Sequence, residues 1–221
     1  MLENHIKGDV LKPLVEDAHY RIIGHAEFIK LVNEQIVTEN PNTDTRIVVY
    51  HNSLVKDFNQ QIQIAKYGTS DYQVGQQLIN NEAFISKKVK TSIPNEATVV
   101  IKKIDSKDIT LHGITCTRVQ LQGHASDFFI VKNKEKYKEK LNQAKREKDW
   151  SLFFSIKETF IDLRPIWAMT SHKSQGSTFD NVIVDFNDLE SMRCKEDFPY
   201  MLNVATTRAR NIVYLYRSDL P

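Results

Sequence analysis

The chain has 221 residues, 41% of them hydrophobic, and its 30 Lys and Arg nearly balance 28 Asp and Glu. That is enough chain for one large or two small domains with real cores, and a net charge of +2 is too small to argue for a nucleic-acid partner by itself. No apolar run reaches the length a bilayer requires, and residues 1–8 lack the apolar centre of a signal peptide. Cys116 and Cys194 stand far apart without a C-x-x-C spacing, which argues for neither a zinc site nor a disulfide framework. The expectation is a cytoplasmic protein with no membrane partner.

In chain order, the first forty residues read as connecting structure. Val10, Leu11, Leu14 and Val15 surround Pro13, Tyr20-Arg21-Ile22-Ile23 has strand character, and 27–37 places Phe28, Leu31, Val32 and Ile36 on one helical face. Asn40-Pro41-Asn42-Thr43-Asp44 is a turn cluster. Arg46-Ile47-Val48-Val49-Tyr50 reads as a buried strand leading into a helix that runs to about Lys66, which Asn52 or Ser53 can cap.

From Tyr72 the character changes. Short β-type runs at 74–79, 97–104, 109–121 and 128–131 are separated by turns at Asn80-Asn81, Pro94-Asn95, Asp105-Ser106 and Gly123. Consecutive short strands without intervening helices suggest a small barrel. Residues 132–148 carry eight Lys or Arg against Glu135, Glu139 and Glu147, with Tyr137, Leu141 and Ala144 at helical spacing. Two readings stand: a solvated helix face, which is preferred, or Lys134, Lys138 and Lys145 following a nucleic-acid backbone. Trp150, Phe153, Phe154 and Ile156 are expected to return the chain to the core rather than to stack on bases.

The chemistry concentrates in 165–216. Ile166-Trp167-Ala168-Met169 reads as a buried strand and gives way abruptly to polar residues before Gly176. A second apolar run follows at Val182-Ile183-Val184, then a helical segment ending at 203–210, then a last strand, Ile212-Val213-Tyr214-Leu215-Tyr216. Strand, polar turn, strand, helix, strand is the pattern of a parallel sheet with ligand groups at the strand ends.

Two stretches of this unit carry a resemblance. Thr170-Ser171-His172-Lys173-Ser174-Gln175-Gly176-Ser177-Thr178-Phe179-Asp180 and Val204-Ala205-Thr206-Thr207-Arg208-Ala209-Arg210 resemble the fifth and sixth motifs of superfamily 1 helicases, the Gln-Gly form being that of the RecD/Dda-like branch. Residues 49–59 resemble the fourth-motif region of the same proteins. The resemblance implies an α/β fold, the second RecA-like domain of a 5′-to-3′ DNA helicase with an inserted SH3-like β-barrel. Its parts would be 1–71 (with the connecting segment), the barrel at 72–131, a basic helical return at 132–162, and the remainder at 163–221.

It further implies roles. Arg208 stands at the position of the arginine finger, where a planar guanidinium meets the charge that develops on a transferring phosphoryl group; its other reading is a cation at a helix C-terminus. Arg210 takes the latter role. Gln175, Gly176 and Ser177 would face the nucleotide, Gly176 letting the backbone approach phosphate. Asn52, Thr170, Ser171, His172 and Lys173 would face single-stranded DNA, donating to phosphates without reading bases. Asn52 is equally a helix cap, and the alternative reading of His172 is a structural histidine.

No metal ligands are assigned. Asp185, at the end of an apolar strand, imitates a magnesium carboxylate, yet no G-x-x-x-x-G-K-[ST] stretch precedes it, and the seven glycines, at 8, 24, 68, 75, 113, 123 and 176, form no phosphate loop. ATP and Mg2+ therefore require an N-terminal RecA-like helicase domain, from the same gene product or a split partner, and a bacterial or phage-infected cell is the implied setting. This chain alone is expected to bind ATP poorly and hydrolyse none. The competing class is a non-enzymatic nucleic-acid-binding module or an inactive remnant.

Overall fold

The structure, a computed structural model, describes residues 19–39, 41, 43–86 and 91–220. The readings of Val10, Leu11, Pro13, Leu14 and Val15, and of Asn40 and Asn42, lie outside them. The chain divides into two compact units, Asp71–Ile166 and the residues on either side of it.

The flanking unit opens with β1 (Tyr20–Ile23) and α1 (His25–Val32), which runs on as a π-helical turn, Asn33–Val37. Phe28, Leu31, Val32 and Ile36 are buried, as their spacing predicts. β2 (Thr45–Val49) follows, with Ile47, Val48 and Val49 at 0% exposure. Such an unbroken β-branched run is what a strand covered on both faces needs. α2 (Asn52–Tyr67) ends where Gly68 turns left-handed at φ 70° and donates its N–H to the Ile64 carbonyl at 2.8 Å.

The Asp71–Ile166 unit holds β3 (Gln77–Asn80), β4 (Phe84–Ser86), β5 (Thr91–Ile93), β6 (Thr98–Ile104), β7 (Ile109–Leu111), β8 (Ile114–Leu121), β9 (Asp127–Val131), α3 (Lys134–Arg146), α4 (Trp150–Thr159) and β10 (Leu163–Pro165). All its pairings between named strands are antiparallel. β4 pairs β5, and the rest follow the order β10-β3-β6-β8-β7, with β9 on the other side of β8. The single run expected at 109–121 is thus a hairpin, turned at Gly113, whose φ of 74° suits glycine.

Phe128, Leu78, Ile101 and Leu121, none with exposed surface, centre the strand core. A second cluster joins Leu141 of α3 and Ile156 of α4 to Ile114 and Cys116 of β8. Residues 132–162, expected as a separate return segment, therefore pack as part of this unit. One expectation needs correction: Trp150 and Phe154 are 53% and 56% exposed, and of the aromatic run only Ile156 is fully buried. Helical periodicity explains it, because i and i+4 share a face and that face points outward.

The chain then returns to the first unit through β11 (Ala168–Thr170), α5 (Ser171–Ser174), β12 (Phe179–Asp185), α6 (Phe186–Glu190), a 3-10 turn (Lys195–Asp197), α7 (Phe198–Thr206) and β13 (Ala209–Tyr216). The expected parallel sheet forms, in the order β1-β13-β12-β2-β11 with every pair parallel. Val182, Ile183 and Val184 lie at its centre with 0% exposure.

α7 stops earlier than the pattern suggests. The Thr206 hydroxyl donates to the Leu202 carbonyl at 2.9 Å and the Thr207 hydroxyl to the Asn203 carbonyl at 2.7 Å. Such back-bonding competes with the helix ladder, and Arg208 falls outside the helix.

Register sorts every loop to one of two sheet edges. At the C-terminal edge Ile23 faces Tyr216, Tyr216 faces Asp185, and Val49 faces Thr170. At the N-terminal edge Phe179 faces Ala209, Asn181 faces Thr45, and Ala168 faces Ile47.

Candidate nucleotide and nucleic-acid site

Arg208 stands at the N-terminal edge, where the Phe179 N–H donates to its carbonyl at 2.8 Å. Its guanidinium is half-buried and fully oriented. Nε donates to the Val204 carbonyl at 3.0 Å, Nη1 to the Ser177 carbonyl at 3.3 Å, and Nη2 to the Thr207 hydroxyl at 2.9 Å. All three acceptors are neutral. The fork is held still while its charge stays uncompensated by any carboxylate in bonding range among the described residues. The bond to Val204 also satisfies a last-turn carbonyl of α7, so the helix-end reading describes one of the three contacts rather than an alternative to the others.

Gln175, Gly176 and Ser177 lie at this same edge. The Ser177 N–H donates to the Ser174 carbonyl at 3.0 Å, closing the turn after α5. Gly176 has φ 87°, and a Cβ built there would meet nothing within 4 Å. Glycine is thus required by the backbone angle, and the space around its Cα is open. Arg210, also here, pairs with Asp180 at 3.6 Å on the surface. Arg46 lies over the Phe179 ring, 5.3 Å from its centroid, and pairs with Asp44.

The other group gathers at the C-terminal edge. Asn52 is exposed at the start of α2 but caps nothing. The capping expected of it or of Ser53 is not made, and no side chain caps α2. Asp188 of α6 instead braces the two residues before the helix, Oδ2 accepting the N–H groups of Tyr50 at 2.5 Å and His51 at 3.0 Å while Oδ1 lies 2.6 Å from His51 Nδ1. His172 is exposed, its ring 6.0 Å from that of Tyr50. Asp185 accepts the Asp188 N–H at 3.0 Å and so caps α6. Burial pushes the Asp185 carboxyl up; the Asp188 N–H opposes this and the Asp188 carboxylate adds to it.

Thr170 and Ser171 need correction as DNA contacts. Thr170 is 5% exposed and its hydroxyl accepts the Lys173 N–H at 3.4 Å, capping α5. Ser171 is fully buried, its hydroxyl donating to Met201 Sδ at 3.6 Å. Both look inward because a strand entering a one-turn helix must satisfy its own polar ends first. Asn52, His172 and the half-buried Lys173 remain at the surface of this edge.

Sequence reading missed three side chains that hold these groups. Asn59 of α2 spends both ends of its amide on Ala168: Nδ2 donates to the Ala168 carbonyl and Oδ1 accepts its N–H, each at 3.0 Å. This replaces the missing strand beyond β11, the edge of the sheet. Asp188 and His51 were likewise silent, since their pairing joins residues 137 positions apart. Only a polar residue at a core-facing helical position, Asn59, gave a signal that could have been followed. Among the described residues no cluster of three His, Cys, Asp or Glu could hold a metal ion, and no helix is long and apolar enough to cross a membrane.

The profile of the UvrD-like helicase C-terminal domain matches residues 165–216. No curated protein sequence matches the chain. Among solved structures, a pair of coordinating Pif1 helicases at forked dsDNA aligns with 86% of the chain at 16% identity and TM-score 0.42. Pif1 helicase from Candida albicans aligns with 87% at 13% identity and TM-score 0.39. Pif1 helicase from Bacteroides, in complex with ADP-AlF3 and ssDNA, aligns with 96% at 16% identity and TM-score 0.34. The chain spans 43%, 49% and 44% of those three chains. The likeness to the UvrD-like helicase C-terminal domain thus covers residues 165–216, the stretch that holds both Gly176 and Arg208.

Proposed function

We propose that this chain is the second RecA-like domain of an ATP-dependent 5′-to-3′ DNA helicase, with Asp71–Ile166 as an inserted SH3-like barrel bearing two helices. Its N-terminal sheet edge completes an ATP site, and its C-terminal edge grips single-stranded DNA. The observation that carries the reading is Arg208: a guanidinium fixed by three neutral oxygens, beside the open backbone of Gly176. A guanidinium has five N–H donors, so five minus the three engaged leaves two for an incoming phosphate. ATP, with Mg2+ and the phosphate cradle, would come from a phosphate-loop domain, the partner this reading requires. Bound there, the nucleotide supplies the free energy of phosphoryl transfer. Arg208 would meet the charge developing on the γ-phosphoryl oxygens.

α5 and the turn after it run between the two edges, with His172 at one end and Gly176 at the other. A nucleotide that binds differently before and after hydrolysis can act on DNA only through such differential contacts. The test is ATPase activity with oligo-dT, on this chain alone and mixed with a phosphate-loop domain from the same source. Activity only in the mixture is expected. Silence in both, with DNA binding retained, would replace the reading with a binding module.

The basic helix α3 is outside this scheme. Lys134 pairs with Asp162 at 2.9 Å and Lys145 lies over the Phe153 ring, 5.3 Å from its centroid. Neutralising Lys134, Lys138 and Lys145 together is expected to leave oligo-dT affinity and its salt slope unchanged. A slope reduced by about two, the size three phosphate contacts give on a single strand, would place α3 on the backbone.

A further inference from the structure

The C-terminal edge contains a histidine whose chemistry the proposed function has not used. His51 links β2 to α2 with its side chain 47% exposed, while the Asp188 side chain that holds it is only 4% exposed. An ionised carboxylate can only accept, so the 2.6 Å contact fixes the ring proton on Nδ1. Nε2, across the ring, has no partner among the described residues. Beside it, α2 begins with no acidic residue in its first turn, and a helix start of that kind suits an anion.

We infer that His51 is a proton-gated contact for the backbone phosphate of single-stranded nucleic acid. In the Nδ1–H tautomer a neutral ring offers phosphate only the Nε2 lone pair, which repels it. A second proton on Nε2 converts that lone pair into a charged donor, and Asp188 stays behind the ring as the fixed counter-charge. The other groups around it are Tyr50, whose ring lies edge-on at 4.9 Å, and His172 of α5 beyond Tyr50. Lys173 follows His172 on α5, and on the α6 side Asp185 stands behind Asp188. The buried carboxylate distinguishes this histidine from His172, which has no carboxylate in bonding range among the described residues. The inference rests on the C-terminal edge being the nucleic-acid face.

The test is fluorescence anisotropy of labelled oligo-dT against the 221-residue chain at fixed low salt, from about pH 5.5 to about pH 8. Affinity is expected to fall about tenfold as pH rises, the size of one charge-assisted hydrogen bond. His51→Asn puts an amide where Nδ1 stood, keeping the Asp188 contact and losing the outward donor. His51→Gln places a neutral donor near the Nε2 position. Both should flatten the pH profile, with His51→Asn the weaker binder at low pH, whereas His172→Gln should keep the fall. The wild-type profile persisting in both His51 variants, or vanishing in His172→Gln instead, would overturn the assignment. Binding that is independent of pH in the wild type would overturn the gate alone, and no binding at any pH would overturn the nucleic-acid face along with it.

Discussion

Arg208→Ala is expected to cut DNA-stimulated ATP turnover roughly a thousandfold or more in a two-domain enzyme reconstituted with a phosphate-loop domain, the scale on which arginine fingers act. The structural cost should be small. The side chain is half-exposed, and the groups it leaves are two backbone carbonyls and one hydroxyl at the surface edge of the sheet. Circular dichroism should therefore be unchanged while turnover collapses. Arg208→Lys is expected to recover little, because an ammonium cannot keep the three-way anchorage and still present a planar pair of donors. Arg210→Ala, which removes only an exposed pair with Asp180, should change turnover by less than about threefold. An effect of Arg208→Ala below tenfold would sink the finger assignment.

Asn59→Leu is expected to destabilise the fold by about 2–6 kcal/mol, since it leaves both the N–H and the carbonyl of buried Ala168 unpaired and each unsatisfied group costs about 1–3 kcal/mol. Chemical denaturation followed by the unit's tryptophan, Trp167, measures it. A loss below about 1 kcal/mol would mean that β11 finds other partners. The effect should also reach function, because β11 carries the segment Ser171–Ser174 directly behind it. Asn59→Asp tests the donor separately: the carboxylate can still accept from Ala168 but cannot give to its carbonyl.

The parallel sheet was legible because its strands are buried on both faces, so Ile47-Val48-Val49 and Val182-Ile183-Val184 appear as uninterrupted apolar runs. The amphipathic face of 27–37 was legible for the opposite reason, a single buried stripe. What composition could not convey was direction. Thr170 and Ser171 look as available as His172 and Lys173, and only the inward turn at the start of α5 separates them. Trp150 and Phe154 look like core residues but occupy the outer face of α4. The division of the candidate residues into two groups at opposite edges depends on strand register, which joins Phe179 to Ala209 and Val49 to Thr170 across long separations. Asp188 and His51 were invisible for that same reason.

The claim that the two edges serve different ligands is tested most directly by an amide-resolved NMR titration of the isotopically labelled chain with oligo-dT. The account predicts shifts at His51, Asn52, His172 and Lys173, with Gly176, Ser177, Arg208 and Ala209 unmoved. Shifts concentrated at Gly176 to Arg208, with His51 and His172 silent, would contradict it and put nucleic acid on the edge assigned here to ATP.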